Sequence, residues 1–307
     1  MSAAWIKRGQ VFKAAFRASH PKLLTHAANP LPIHLDGSVY RCFFSSRDAQ
    51  NRSSVGAVDI DLEQLKVVRE FKEPFFTHGP KGSFFADGVS IGNCYVAGGT
   101  QYMLFMGWQN PAEAHWRGEI GRLIVTSDLT LELENTAPFI GLNEQDSISL
   151  SYPWVHKNSA TEFHMWFGST QTWDTGNGEM LHTIEHATST DGHHWTRTQH
   201  SIPSEIGVAQ AFSRPTVLKA ENGEYRMWFS YRCGSGRTYR IGQARSKDAK
   251  AWNLHLHDAV IPTATNGWDS EMVEYPFVFE HDQATYMLYN GNGYGKTGFG
   301  IAELKSA

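Results

Sequence analysis

Five near-copies of one aromatic strand, set at an almost constant spacing, constrain this 307-residue chain more than any other feature. They read YRCFFSS from Tyr40, YMLFMGW from Tyr102, FHMWFGS from Phe163, YRMWFSY from Tyr225 and YMLYNGN from Tyr286. Their first residues therefore lie 62, 61, 62 and 61 positions apart. A fixed period means that one supersecondary unit is repeated, because a single unit cannot bury its own apolar face. Each copy also keeps the same neighbours. Upstream runs a short apolar strand, usually opened by proline: NPLPIHL, YPWVHK, RPTVLK and YPFVFE. Downstream runs a third strand that ends in a turn, as in IEHATSTDGHHW, IGQARSKDAKAW and IGRLIVTSDL.

The Asp-Gly of STDGHHW is a hairpin signal, which places His193 and His194 on an exposed turn and predicts a fourth strand after it. Four antiparallel strands per repeat predict an all-β chain, a five-bladed β-propeller. The last repeat stops after its third strand, GFGIAELK, and the N-terminal WIKRGQVFKA resembles a fourth strand. That strand is expected to pair on the last blade and close the ring, removing two open sheet edges. No linker or composition shift interrupts the repeats, so residues 1–307 are expected to form one domain.

Composition narrows the partners. The net charge is −4, from 31 acidic against 27 basic residues, so no overall field recruits nucleic acid or an anionic membrane. No apolar run is long enough for a membrane-spanning helix. The N-terminus lacks the apolar core of a signal peptide, which gives a cytoplasmic expectation. Cys42, Cys94 and Cys233 are odd in number and fit neither a zinc spacing nor a disulfide framework. Fifteen histidines are many, yet none sits in a metal-ligand spacing, so neither a metal nor a cofactor is expected.

In a propeller the starts of the first strands and the loops after the second strands meet at one mouth of the channel. The first set gives Asn29, Asp87, Tyr152, Arg214, Glu271 and Glu274; the second gives Arg47, Trp108, Trp173, Tyr231, Arg232, Asn290 and Tyr294. Aromatic rings, amides, carboxylates and guanidinium groups in one place suit a polyhydroxylated ligand, which stacks on rings and takes paired hydrogen bonds. A carbohydrate is the expected partner, with arginines that could also take a carboxylate or phosphate on it.

The repeat RPTVLKAENGEYRMWFSY…YRIGQARSKDAKAW resembles the five-bladed propellers of glycoside hydrolase families 32, 43 and 68 and of the mannoside phosphorylase family 130. The stretch GWDSEMVEYPFVFEHDQATYMLYNGNGYGKTGFG is similar to a bacterial subgroup that is itself similar to the N-terminal domain of plant glucosamine inositolphosphorylceramide transferases. The hydrolase resemblance implies three acids at the starts of the first, third and fourth blades. Asn29, Tyr152 and Ser213 stand there instead, so the furanosidase mechanism does not carry over. Glycosidic hydrolysis needs a protonated acid and a second carboxylate. Asp87 and Glu274 are the expected pair, with Asn29, Arg47, Trp108, Tyr152, Arg214, Tyr231, Arg232, Glu271, Asn290 and Tyr294 around the substrate. The alternative is a non-catalytic carbohydrate-binding or accessory domain in glycan synthesis.

Overall fold

The computed structural model describes residues 4–14, 20–234, 238–258 and 260–305. They contain twenty β-strands and no α-helix. The N-terminal strand is β1 (Ala4–Phe12). A first group of four follows: β2 (Thr25–Asp36), β3 (Val39–Arg47), β4 (Ser53–Asp61) and β5 (Lys66–Glu70). The second is β6 (Gly88–Ala97), β7 (Thr100–Gln109), β8 (Arg117–Val125) and β9 (Leu131–Leu133). The third is β10 (Leu150–Ser159), β11 (Glu162–Thr172), β12 (Leu181–Ser189) and β13 (Thr196–Ser201). The fourth is β14 (Ala211–Lys219), β15 (Tyr225–Arg232), β16 (Arg240–Ser246) and β17 (Asn253–His255). The last is β18 (Glu274–His281), β19 (Ala284–Asn290) and β20 (Phe299–Lys305), and β1 pairs antiparallel with β20 to make its fourth strand.

Within each group the strands are antiparallel neighbours in chain order. Hydrogen bonding joins the groups differently from five separate sheets. One parallel bridge, Ser53 with Gly88, merges the first two groups into an eight-stranded sheet. His182 with Ala211 does the same for the third and fourth. The first strands contact one another in succession, β2 with β6, β6 with β10, β10 with β14 and β14 with β18, and β18 also contacts β2.

The repeated aromatic strands run as β3, β7, β11, β15 and β19, and they carry the core. Phe43, Phe105, Trp166, Phe229 and Leu288 are buried in one apolar cluster together with residues of the first strands such as Leu31, Ile91, Trp154, Val217 and Phe277. The short fourth strands β5 and β13 are mostly exposed and β17 is largely half-buried, and none of their residues is fully buried, as suits an edge. At the N-terminal strand, Lys7 Nζ donates to Asp269 at 2.6 Å and Trp5 meets Trp228 edge-on at 6.1 Å. Among the described residues no helix is long and apolar enough to cross a membrane, which does not bear on strands.

Candidate functional site

Every first strand breaks its register with the second strand at the same point. The breaks fall between Ala28 and Leu31, Ile91 and Cys94, Ser151 and Trp154, Ser213 and Thr216, and Glu274 and Phe277. Such a bulge bends the strand and re-aims one side chain. In four strands the residue before the proline takes left-handed backbone: Asn29 at φ 57°, Tyr152 at 29°, Arg214 at 48° and Tyr275 at 53°. Each costs about 1–3 kcal/mol for a residue with a side chain, so the surrounding fold must impose it. In β6 the proline is replaced by Asn93, and the residue before it is Gly92. A Cβ on Gly92 would come within 2.3 Å of the Pro153 carbonyl oxygen.

This alignment moves one expected residue. The position in β6 that corresponds to Glu274 is Ile91, four residues beyond Asp87. Asp87 lies just before β6, where its Oδ2 accepts the Asn110 amide at 2.7 Å, and it does not line the central cavity. Asp87 does stand at the entry to β6, but the expected pairing needs the bulge position four residues further on, which no proline marks in the sequence.

The bulges surround a cavity of about 320 Å³. Five of the expected residues line it: Arg47, Trp108, Tyr152, Arg232 and Tyr294. Trp108 is held by a bond from its Nε1 to Ser53 Oγ at 3.2 Å, and its ring lies over Gly88 so closely that a Cβ there would sit 2.2 Å from it. Any side chain at position 88 would push Trp108 out of place. Tyr239, Tyr275, Trp116, Ser151 and His182 complete much of the wall.

Glu274 lies behind this wall with 0% exposure, and neither carboxylate oxygen has a hydrogen-bond partner. Desolvation raises its pKa well above the ordinary carboxylate value. The charges of Arg232 and Arg47 and the nearby Tyr294 backbone N–H oppose that rise without reversing it. Burial therefore favours the neutral acid form of Glu274, the form that can give a proton, behind the aromatic wall of the cavity.

The arginines divide. Arg232 Nη2 donates to Glu179 Oε1 at 2.8 Å, its guanidinium lies 4.7 Å from the Tyr239 ring, and its buried Nε has no partner. Arg47 Nη1 donates to Asn51 Oδ1 at 2.8 Å. Arg214 does not reach the cavity. It is 2% exposed and donates to two backbone carbonyls, Tyr275 at 2.7 Å and Pro30 at 2.8 Å. Burial pushes its pKa down to about 9. A side chain expected to touch substrate is instead a tie between β14, β18 and β2.

Four other expected contacts also lie elsewhere. Asn290 is fully buried: its Oδ1 accepts the Asn29 amide at 2.8 Å while its Nδ2 donates to Ala27 and Gly298 carbonyls. Asn29 is itself buried, with Oδ1 unpartnered, and it does not line the cavity. Tyr231 lines a separate surface cavity with Val208 and Arg240. Glu271 has an exposed side chain and works through its backbone, donating to Asn292 Oδ1 and accepting from Thr238 and Arg240.

Two further features stand out: His182 had no signal in the repeat pattern, whereas Trp173 was expected at the mouth without its partners His115 and Trp116. His182 Nε2 lies 2.6 Å from Ser151 Oγ, and its Nδ1 lies 2.8 Å from Thr170 Oγ1. The arrangement has the outline of a nucleophile and base. However, complete burial and Arg232 push the His182 pKa down to about 3, and a hydroxyl rather than a carboxylate faces Nδ1. Nothing there stabilises an imidazolium, so the pair is a neutral hydrogen-bonding element of the wall. The second feature is an aromatic step. Trp173 stacks on His115 at 4.4 Å and meets Trp116 edge-on at 5.2 Å, extending the cavity wall outward over the β7–β8 and β11–β12 loops.

Comparison with known proteins agrees with this architecture. Two uncharacterised Mycobacterium tuberculosis proteins, MT1551 and Rv1502, are each 39% identical over 305 residues, covering 99% of this chain and 100% of theirs. No model of a known protein family matches the chain. Among solved structures, a glycoside hydrolase of the GH130 family of mannoside phosphorylases, targeting β-1,2 mannosidic linkages in Candida mannan, aligns with a TM-score of 0.74. That alignment is at 12% identity and covers 99% of this chain and 94% of that one. A Bacteroides ovatus glycosyl hydrolase gives 0.72 at 12% identity, covering 99% and 94%. A thermostable family-43 glycoside hydrolase gives 0.67 at 13% identity, covering 94% and 91%. The fold is that of the β-propeller glycoside hydrolases.

Proposed function

The chain belongs to the family of the Mycobacterium tuberculosis proteins Rv1502 and MT1551, and we propose that it is a glycosidase-like protein acting on a glycan in the central cavity. The observation that carries this reading is Glu274, a buried and unpaired carboxylic acid beside a wall of tryptophan and tyrosine rings. Glycosidic cleavage begins with protonation of the leaving oxygen, and an acid still protonated at neutral pH is what that step needs. Trp108, Tyr152 and Tyr294 would stack on sugar faces, and Arg47 with Arg232 would fix their orientation.

The architecture we infer is a single domain of five blades, with β1 as the last strand of the fifth. The succession of first-strand contacts that returns from β18 to β2, and the pairing of β1 with β20, support it.

A second reading is a non-catalytic glycan-binding domain. It draws on the absence of aspartate and glutamate among the described residues lining the cavity. It also draws on Asn29, Tyr152 and Ser213, which stand where the resembled hydrolases carry acids. Turnover of a panel of aryl glycosides, with and without phosphate, separates the two. Wild-type turnover that falls at least about a thousandfold in Glu274→Gln, with sugar binding kept, supports the enzyme. Sugar binding without turnover of any glycoside supports the binding domain. Turnover retained by Glu274→Gln removes Glu274 from the chemistry.

A further inference from the structure

Building on the glycan reading, we infer that the cavity selects its ligand by an anionic substituent, a carboxylate or phosphoryl group, seated against Arg47 and Arg232. Charge bookkeeping at the wall motivates this. Among the described residues, the lining contains these two guanidinium groups and no aspartate or glutamate. Arg232 is matched by Glu179. Arg47 has only the neutral Asn51 as its side-chain partner and no ion pair among the described residues. The carboxylate next to it in sequence, Asp48, is committed elsewhere: it accepts Arg52 Nε at 2.8 Å and the amides of Gln50 and Arg52.

Glu274 does not supply the missing partner: neither of its oxygens is bonded to a guanidinium, and burial disfavours its charged form. Two guanidinium groups against one paired glutamate leave one unmatched cation at the cavity, in a chain whose total charge is −4. A partly buried cation without a counter-ion is costly, and the unpartnered Arg232 Nε adds a second unmet donor. An oxyanion answers both, since guanidinium groups bind carboxylate and phosphoryl oxygens through paired, charge-assisted hydrogen bonds. The protonated Glu274 helps in the same direction. An ionised carboxylate behind the wall would repel the ligand's charge, whereas the neutral acid does not. Anion binding would in turn favour the protonated form, so ligand and proton are coupled.

The test is calorimetry on the full chain with glucose, glucuronic acid, glucose 6-phosphate and inorganic phosphate at low and raised salt. The expected result is that at least one acidic sugar binds about tenfold or more tightly than glucose, with the advantage shrinking as salt rises. Which acidic sugar it is distinguishes a carboxylate from a phosphoryl group. Arg47→Gln, which breaks no ion pair, should erase the advantage, bringing the affinity ratio of acidic to neutral sugar to about one, with the melting temperature unchanged. Equal binding of acidic and neutral sugars overturns the anion inference and leaves the glycan reading standing. Inorganic phosphate binding as tightly as any sugar overturns both. No difference between acidic and neutral sugars because none binds also overturns the inference.

Discussion

Arg214 on β14 and Arg232 on β15 come from one hairpin, and both are largely buried, yet they hold opposite positions in the molecule. Arg214 spends its guanidinium on the backbone carbonyls of Pro30 and Tyr275, tying three first strands together beneath the cavity. Arg232 shares one ion pair with Glu179 and keeps a buried, unmatched Nε beside the cavity. The contrast extends to their surroundings. Around Arg214 the polar groups close on each other, as Asn290 does with Asn29, Ala27 and Gly298. At the level of Arg232, both Glu274 oxygens remain unpaired. Native proteins seldom leave such groups unsatisfied, and strain, an ordered water or ion, or a role in binding or chemistry accounts for those that are. Apart from the unpartnered Asn29 Oδ1, a bonded floor holds an unsatisfied layer in place, which is how a site keeps strained and desolvated groups ready.

The largest break in this comparison comes from the floor. Arg214→Ala removes two charge-assisted hydrogen bonds and leaves two buried carbonyls and a void, so a loss of about 3 kcal/mol or more is expected in urea unfolding. Arg47→Gln, at the cavity, should stay within about 0.5 kcal/mol of wild type in the same assay. Equal costs at the two positions would erase the distinction between floor and cavity.

Glu274→Gln should move stability the other way. A carboxyl whose pKa is raised on folding makes the folded state bind more protons than the unfolded one. Stability is then lost as pH rises above the unfolded value. The loss is on the order of 1 kcal/mol per pH unit until the folded pKa is passed. The glutamine variant has no such loss, so it should be more stable than wild type at pH 7, and increasingly so from pH 5 to 7. A variant less stable than wild type at pH 7 would mean that Glu274 has a partner.

The buried histidines supply the opposite slope. Burial depresses His182 and His186 to about 3 and His156 to about 4. The folded state therefore refuses protons that the unfolded chain takes below about pH 6.5, and stability falls as pH drops from there toward 4. Thermal melts should show this acid loss equally in wild type and Glu274→Gln, while only wild type shows the loss on the alkaline side. His186→Gln should reduce the acid slope.

The smallest expected effect is at the aromatic step. Trp173→Ala should leave melting nearly unchanged and weaken binding of an oligosaccharide by about 1 kcal/mol relative to a monosaccharide, measured by calorimetry. Equal weakening of both would place Trp173 inside the main cavity rather than outside it.

Much of this architecture was legible in the chain, for physical reasons that also mark where legibility stopped. The strands repeat because each blade-like unit solves the same burial problem, so β3, β7, β11, β15 and β19 announce themselves by aromatic period. Proline marked four of the five bulges, and Asn29, Tyr152, Arg214 and Tyr275 precede those prolines. The fifth, at Gly92-Asn93, has no proline, and Asp87 was misplaced for that reason. Spacing located Arg214 at the centre but not its direction, since a left-handed kink can turn a side chain toward the floor or the cavity. Tyr239, Trp116 and His182 come from segments whose contacts are set by folding across units, and no local pattern foretells them.

The central claim is that Glu274 stands as a neutral carboxylic acid at the cavity, and infrared difference spectroscopy of wild type against Glu274→Gln at pH 7 tests it most directly. A protonated-carboxyl C=O stretch present in wild type and absent from the variant is the predicted result; a difference spectrum containing only ionised-carboxylate bands would contradict it.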